Sequence, residues 1–329
     1  MKPRICIIGA GSISPFHIEA AQAAGFELFA ICAKPDSNRA RLLYKKYGFK
    51  KLFSDLSEIE SSKPEAIAIL SNTEHLLEIY QKLKFLQVPT LIEKPVVNSI
   101  HEFPADINLD CKITLVGYNR RFYSSVQFVK NHLNEGTVVS SSWTISELSS
   151  FSDSKNDSRI KAVRENTVHV LDLMVYLFGS VKNIATERIS DSNGIKFILS
   201  LVKFNSGAVA TINLSLNSPN LYESKILTTK YLLKLKPLEV ITQYSGIEIT
   251  EPNKDFFTRR YKLKGPEWII DPMDLEFKAG FYQQYTELKN LVDGIPRVSG
   301  ATLRDAKNAL TLAEALLDAK FISDSFSSN

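Results

Sequence analysis

The sequence predicts an α/β chain of two domains: a doubly wound parallel sheet, then an α+β domain on a large, mostly antiparallel open sheet. Three observations carry that prediction. Short β-branched apolar runs alternate with helical patterns up to about residue 118, and strands separated by helices pair parallel with both faces covered. From about residue 138, strand-like runs follow one another with turn residues between them, the pattern of antiparallel pairing. A chain of 329 residues, 44% hydrophobic and 23% charged, is also long and apolar enough for two cores.

In the first half, strands are expected at Arg4–Ile8, Phe26–Cys32, Ala66–Leu70, Thr90–Ile92 and Lys112–Val116, with helices at Phe16–Ala24, Asn38–Tyr47 and His75–Leu86. Gly25 and Gly48 are placed to stop two of those helices. In the second half, strands are expected at Val138–Leu148, Val181–Arg188, Ile195–Phe204, Ala208–Leu216, Ser224–Thr229, Tyr231–Leu235, Leu238–Thr242 and Ile247–Thr250. Asn193-Gly194, Asn205-Ser206-Gly207 and Ser245-Gly246 supply the turns. Helices are expected at Asn166–Phe178, Leu275–Val292 and Leu303–Phe321, and the polar stretch Ser149–Ser158 and the last residues read as mobile loops. The domains are therefore set at 1–118 and 119–329, the closing helices being free to pack back towards the first.

Composition narrows the function. The net charge of +4 is spread along the chain and gathers into no basic stripe, so nucleic-acid and membrane binding are not expected. Cys6, Cys32 and Cys111 lie far apart in or beside apolar runs and read as small buried hydrophobes. The N-terminus enters a strand directly, and no apolar run approaches membrane-spanning length, so a cytoplasmic location is expected.

The first strand runs into Gly9-Ala10-Gly11-Ser12-Ile13-Ser14, and a helix opens at Pro15. That order is what cradling a dinucleotide pyrophosphate requires. Gly9 permits the tight turn, Gly11 leaves room for the phosphates, and free amides of the new helix face the negative charge. Ser14 replaces the third glycine of this Rossmann-type fingerprint. At the end of the second strand, where an acid would grip the ribose 2′-hydroxyl, stands Lys34, with Asp36 two places on. A lysine neutralises a 2′-phosphate, with help from Ser37 and Arg39, so NADP(H) is favoured over NAD(H). Ligands of such sheets bind beyond the carboxyl ends of the strands. The candidate cofactor residues are therefore Gly9, Ala10, Gly11, Ser12, Ile13, Lys34, Arg39, Ser71, Asn72, Thr73, His75, Glu93 and Lys94.

Two further groups carry chemistry. Lys94 sits before Pro95, which cannot join a sheet ladder. It therefore projects at a strand end, to polarise an oxygen or to pair with Glu93. Tyr118, Asn119, Arg120 and Arg121 follow on the same rim as candidate substrate contacts; two adjacent arginines on an extended chain cannot both face a cleft. Glu165, His169 and Asp172 are spaced i, i+4 and i+7, one face of a helix. That face suits a general base tuned by carboxylates. A packed histidine and a metal site are the competing readings, and no second histidine or cysteine cluster supports a metal.

Taken together, Gly9-Ala10-Gly11, Glu93-Lys94-Pro95, Gly117-Tyr118-Asn119-Arg120-Arg121-Phe122, His169-Val170-Leu171-Asp172 and Tyr176-Leu177-Phe178-Gly179 resemble the Gfo/Idh/MocA family of oxidoreductases, as does the ending from Gly280-Phe281. The resemblance implies a Rossmann domain, an open-sheet C-terminal domain and NAD(P)-linked chemistry at a carbinol carbon. It implies a sugar, polyol or nucleotide-sugar as substrate, Lys94 as a catalytic substrate contact and His169 as the proton acceptor or donor. Pairing through the exposed sheet into a homodimer or homotetramer is implied as well. Other redox or redox-neutral chemistry on the same fold, and a non-catalytic dinucleotide-binding role, are the alternatives. The chain departs from the family where Glu165, assigned to catalysis, replaces an aspartate, and where Arg164, Asn166 and Thr167 replace glycines.

Overall fold

A computed structural model describes residues 2–133, 137–147, 156–192, 194–216, 220–255, 257–265, 267–269, 276–318 and 322–323. They form two compact units that are not consecutive in sequence. The first comprises Met1–Tyr123, Val168–Asp172 and Pro272–Thr311, and the second Ser124–Thr167, Leu173–Asp271 and Leu312–Asn329. A single boundary after residue 118 therefore does not describe the chain.

The first unit is built on β1 (Arg4–Ile8), β2 (Glu27–Cys32), β3 (Lys51–Phe53), β4 (Ala66–Ile69), β5 (Thr90–Ile92) and β6 (Thr114–Val116), in the order β3-β2-β1-β4-β5-β6. Every neighbouring pair is parallel. The order reverses between β1 and β4, and the crevice at such a reversal is where ligands of open α/β sheets lie. Helices α1 (Ser14–Ala23), α2 (Asn38–Tyr47), α3 (Leu56–Ser62) and α4 (Thr73–Leu83) connect the strands. Gly48 closes α2 at φ 71°, the left-handed conformation that favours glycine.

Sequence periodicity missed β3 and α3. β3 has three residues and is largely exposed, too short and too wet for an alternation. α3 was readable from its capping box, in which Asp55 accepts from Ser57 and the Glu58 side chain accepts from the Asp55 amide. A helix from far down the chain completes this core. Its residues Phe281, Tyr285, Leu288 and Leu291 recur every three or four positions and pack with Ile5, Ile7, Ile18, Phe26 and Leu115.

The second unit begins with an unforeseen helix, α5 (Ser124–Leu133). Its sheet uses β7 (Val138–Glu147), β8 (Val181–Asp191), β9 (Gly194–Phe204), β10 (Val209–Leu216), β11 (Glu223–Thr228), β12 (Leu232–Leu235) and β13 (Ile241–Tyr244). The order is β13-β12-β11-β7-β10-β9-β8, with Glu267–Ile269 and Ile322–Ser323 as outer strands. All pairs are antiparallel except β7 with β10. β9 shows the alternation of a sheet with one wet face: Ile198, Ser200, Val202 and Phe204 are buried, while Leu199, Leu201 and Lys203 are exposed. The strand expected from Leu238 begins only at Ile241, because Lys236 and Val240 close a turn around Pro237. β14 (Gly246–Thr250) and β15 (Arg260–Lys264) form a separate exposed hairpin.

The helix expected over 166–178 is α7 (Val168–Phe178), preceded by a π turn at Val163–Thr167. The loop expected at Ser149–Ser158 lies outside the described residues as far as 155, and Asn156–Ala162 is a helix, α6. The tail, expected to be mobile, likewise lies outside them beyond 323. Two helices follow in the closing part, α8 (Phe281–Val292) and α9 (Leu303–Asp318).

Candidate active site

The glycine turn is shaped by contact. Gly9 donates to Cys32 O at 2.8 Å, has φ 110°, and a Cβ there would stand 2.6 Å from Leu70 O. Gly11 has open space around it, with Leu70 O at 3.9 Å from where a Cβ would be. No side chain caps the N-terminus of α1 after Ile13; the Ser14 and Phe16 amides donate to Gly11 O and Ile13 O instead, and Pro15 has no N–H to offer. A cleft of about 520 Å3 opens there, lined among others by Gly9, Ala10, Gly11, Lys34, Ser71, Asn72 and His75. These residues fit a dinucleotide. Ser12, Ile13 and Thr73 flank this lining without joining it.

The adenosine end differs from expectation in one residue. Arg39 is exposed and lines none of the cleft, whereas Lys34 and Ser37 do. The arginine beside them is Arg41, which with Lys34 and Ser37 lines an adjoining recess of about 280 Å3. Arg41 holds Asp36 at 2.6 Å. The one carboxylate of the Lys34–Arg41 segment is thus engaged by a guanidinium.

At the carboxyl end of β5, Lys94 is half-buried and its backbone N–H donates to Glu93 Oε2 at 3.2 Å. Glu93 Oε1 lies 3.0 Å from His17 Nε2. Burial, which raises a carboxyl pKa, is outweighed here by His17 and Lys94, and Glu93 stays below the usual carboxylate range. Glu93, expected to bind cofactor, is therefore absent from the cleft lining and bonded inside the protein.

The rim that follows is mostly structural. Asn119 donates from Nδ2 to Ala279 O at 2.9 Å. Arg121 is buried and bidentate on Asp172, at 2.7 Å from Nε and 2.5 Å from Nη2, with Asp305 3.4 Å away. Burial, opposed by the guanidinium, leaves the Asp172 carboxyl raised to about 6. Burial of Arg121 is in turn overcome by Asp172 and Asp305, which hold its pKa above the ordinary arginine value. Arg121, Asp172 and Asn119, expected as substrate contacts, are thus tied to one another's neighbourhood by internal bonds. Arg120 is the half-buried member of the arginine pair.

His169 stands in the first unit with Lys94 and Tyr118. Its ring meets the buried Tyr118 ring edge-on, centroids 5.7 Å apart. Its Nδ1 is buried and has no hydrogen-bond partner among the described residues, so Asp172 does not orient the ring through that atom. Glu165 belongs to the other unit, on the π turn, with its carboxylate 3.6 Å from Lys161. The wider π turn undoes the i, i+4 spacing read from the sequence. Burial first, and then the charges of Lys94, Arg120 and Lys278, push the His169 pKa well below its ordinary value. The imidazole is neutral at physiological pH.

Lys278 escaped the sequence reading. Its ammonium lies 5.0 Å over the Phe16 ring and 5.4 Å over Phe281, and desolvation lowers its pKa. The only available signal was Gly280, which has φ 77° and packs so tightly on Asn119 that a Cβ would meet its carbonyl oxygen at 2.1 Å. Among the described residues no group of three or more His, Cys, Asp or Glu is arranged to hold a metal ion, and no helix is long and apolar enough to cross a membrane.

Comparison with known proteins agrees with this architecture. Residues 3–107 match the model of the GFO_IDH_MocA family, described as an oxidoreductase family with an NAD-binding Rossmann fold. A search of curated proteins gives no match. Solved structures share the fold over nearly the whole chain. An oxidoreductase from Agrobacterium radiobacter, in complex with NAD+, L-tartaric acid and magnesium, is 15% identical with a TM-score of 0.74, covering 98% of both chains. Levoglucosan dehydrogenase with NADH and L-sorbose is 17% identical with a TM-score of 0.76, covering 97% of each. A dehydrogenase (MviM) from Clostridium difficile is 18% identical with a TM-score of 0.74, covering 97% of this chain and all of its own.

Proposed function

We propose that this protein is an NAD(P)-dependent dehydrogenase or reductase acting on a carbinol or carbonyl carbon of a sugar, polyol or nucleotide-sugar. The observation that carries this reading is His169: a buried, neutral imidazole whose Nδ1 has no hydrogen-bond partner among the described residues, in the same compact unit as Lys94 and the glycine-turn cleft. Buried polar atoms in native proteins are nearly always hydrogen-bonded, and a substrate hydroxyl supplies the partner that Nδ1 lacks.

A bound nicotinamide supplies the hydride acceptor for alcohol oxidation, or the donor for reduction. The chain's own part is electrostatic and protonic. Gly9 and Gly11, in the turn before α1, would leave room for the pyrophosphate. Lys94 holds the reacting oxygen and stabilises negative charge as it develops there. His169 Nδ1 takes the hydroxyl proton in oxidation and returns it in reduction. Tyr118 fixes the imidazole plane by its edge-on contact. Lys34 and Ser37, with Asp36 drawn off by Arg41, support NADP(H) over NAD(H).

Self-association through the wet face of the second sheet, where Leu199, Leu201 and Leu227 are exposed, is part of the same reading. So is a cytoplasmic setting, which suits the free thiols of Cys6, Cys32 and Cys111.

The test is a panel assay at 340 nm with NADP+ and NAD+ against levoglucosan, myo-inositol, L-tartrate and nucleotide-sugars, and with reduced cofactor against ketoses such as L-sorbose. At least one substrate is expected to turn over. Lys94→Ala and His169→Ala should each lower kcat roughly 100-fold or more, with cofactor affinity kept. Near wild-type turnover in both variants overturns the assignment. A lower KM for NAD(H) than for NADP(H), unmoved in Lys34→Asp, overturns the cofactor preference.

A further inference from the structure

One buried network is left unused by that reading. His17 lies in α1, just after the glycine turn, and is wholly buried. Its Nε2 is 3.0 Å from Glu93 Oε1 and its Nδ1 is 3.0 Å from Tyr285 Oη on α8. Phe281, one turn earlier on α8, packs on the same imidazole, centroids 4.6 Å apart. Glu93 Oε2 accepts the backbone N–H of Lys94.

The donors and acceptors order themselves. Lys94 N–H donates to Glu93 Oε2 and Tyr285 O–H to His17 Nδ1, while His17 Nε2 faces Glu93 Oε1 at 3.0 Å as a close polar contact without hydrogen-bond alignment. A line of polar contacts thus runs from α8 through α1 to the residue at the end of β5. Gly117 shows how closely the carboxylate is held, since a Cβ there would stand 2.7 Å from Glu93 Oε1.

A buried carboxylate stripped of a polar partner is costly and moves towards water or takes up a proton. Either response releases the backbone of Lys94. We propose that His17 is a positioning residue for the reaction: its imidazole fastens Glu93, and through Glu93 the Lys94 backbone, to the helix that follows the glycine turn. The proposal rests on the reading of Lys94 as the group that holds the reacting oxygen. Seating of the pyrophosphate at the turn before α1 and placement of Lys94 then share one rigid link.

Two measurements on the full chain with NADPH present test it. In the first, amide hydrogen exchange is followed in wild type, His17→Leu and His17→Gln; the glutamine retains an N–H donor. Exchange over residues 93–97 is expected to rise at least tenfold in His17→Leu and to return to within threefold of wild type in His17→Gln, with β1 and β4 unchanged. Exchange over 93–97 within twofold of wild type in His17→Leu overturns the proposal. So does equal loosening of β1 and β4, or a failure of glutamine to restore protection, since packing alone would then explain the histidine.

The second measurement is turnover of whichever panel substrate reacts, with His17→Leu expected to lower kcat at least tenfold while KM and NADPH affinity stay within threefold. If Lys94→Ala abolishes turnover and His17→Leu does not, this inference fails alone. If Lys94→Ala turns over normally, the functional reading fails, and the exchange data still report whether the link exists.

Discussion

Replacing Arg121 by methionine removes the only cation bonded to Asp172 among the described residues and leaves two carboxylates facing one another's field. Asp172 is 1% exposed, so the variant holds a buried charge with no counter-charge. Breaking such a pair by deleting one partner costs about 3–5 kcal/mol, which corresponds to a fall in Tm of roughly 4–7 °C for a chain of this size. The loss carries a pH signature. Asp172 titrates near 6 with the guanidinium present, above its value in an unfolded chain, and higher still without it. A carboxyl raised on folding binds its proton more tightly in the native state, so stability is greatest below the unfolded pKa and falls as pH rises through the folded one. The deficit of Arg121→Met should therefore be fully developed at pH 8 and smaller at pH 5.5, recovering at most about 1.4 kcal/mol per pH unit. Urea and thermal denaturation followed by circular dichroism at the two pH values measure it. Asp172→Asn in the same background should restore most of the loss at pH 8, and serves if the single variant does not fold. A deficit under about 1 kcal/mol, or one equal at both pH values, would refute the buried-pair argument.

Two other expectations follow from the site. In Lys278→Met one of the cations that depress His169 is gone, so the acidic limb of the kcat/KM profile for alcohol oxidation should move up towards neutrality; a limb that stays put or moves down removes Lys278 from the site. Gly117→Ala should cost roughly 1–3 kcal/mol through overpacking against Glu93. Gly48→Ala, with nothing within 4 Å but φ 71°, should show only the smaller backbone penalty, and equal losses in urea titrations would discount the contact.

The residues explain why some of this was legible in the sequence. Strand ends and the glycine turn are local: β-branched runs, a helix start and Pro95 are read within a few positions, and they place Gly9, Lys34, Asn72 and Lys94 at one edge of a sheet. The rest depends on partners far apart in the chain. Arg121 meets Asp172 and Asp305 across separations of 51 and 184 residues, and His17 meets Tyr285 across 268; no spacing rule reaches so far. The surroundings of the two carboxylates assigned to His169 were hidden for a local reason instead. A π turn in Val163–Thr167 shifts Glu165 out of step, and Asp172 was claimed by an arginine that the sequence placed on the rim. Lys278 was hidden because a lone lysine before a glycine carries no pattern.

The interleaving of the two compact units has a consequence for biosynthesis. The parallel sheet has all its strands once residue 116 has been made, yet the helix that covers Ile5, Ile7 and Phe26 arrives only with residues 281–292. Until then the nascent chain carries a bare apolar flank, and closing it requires contacts of very high sequence separation, which form slowly. A fragment ending near residue 120 should therefore aggregate where the intact protein does not.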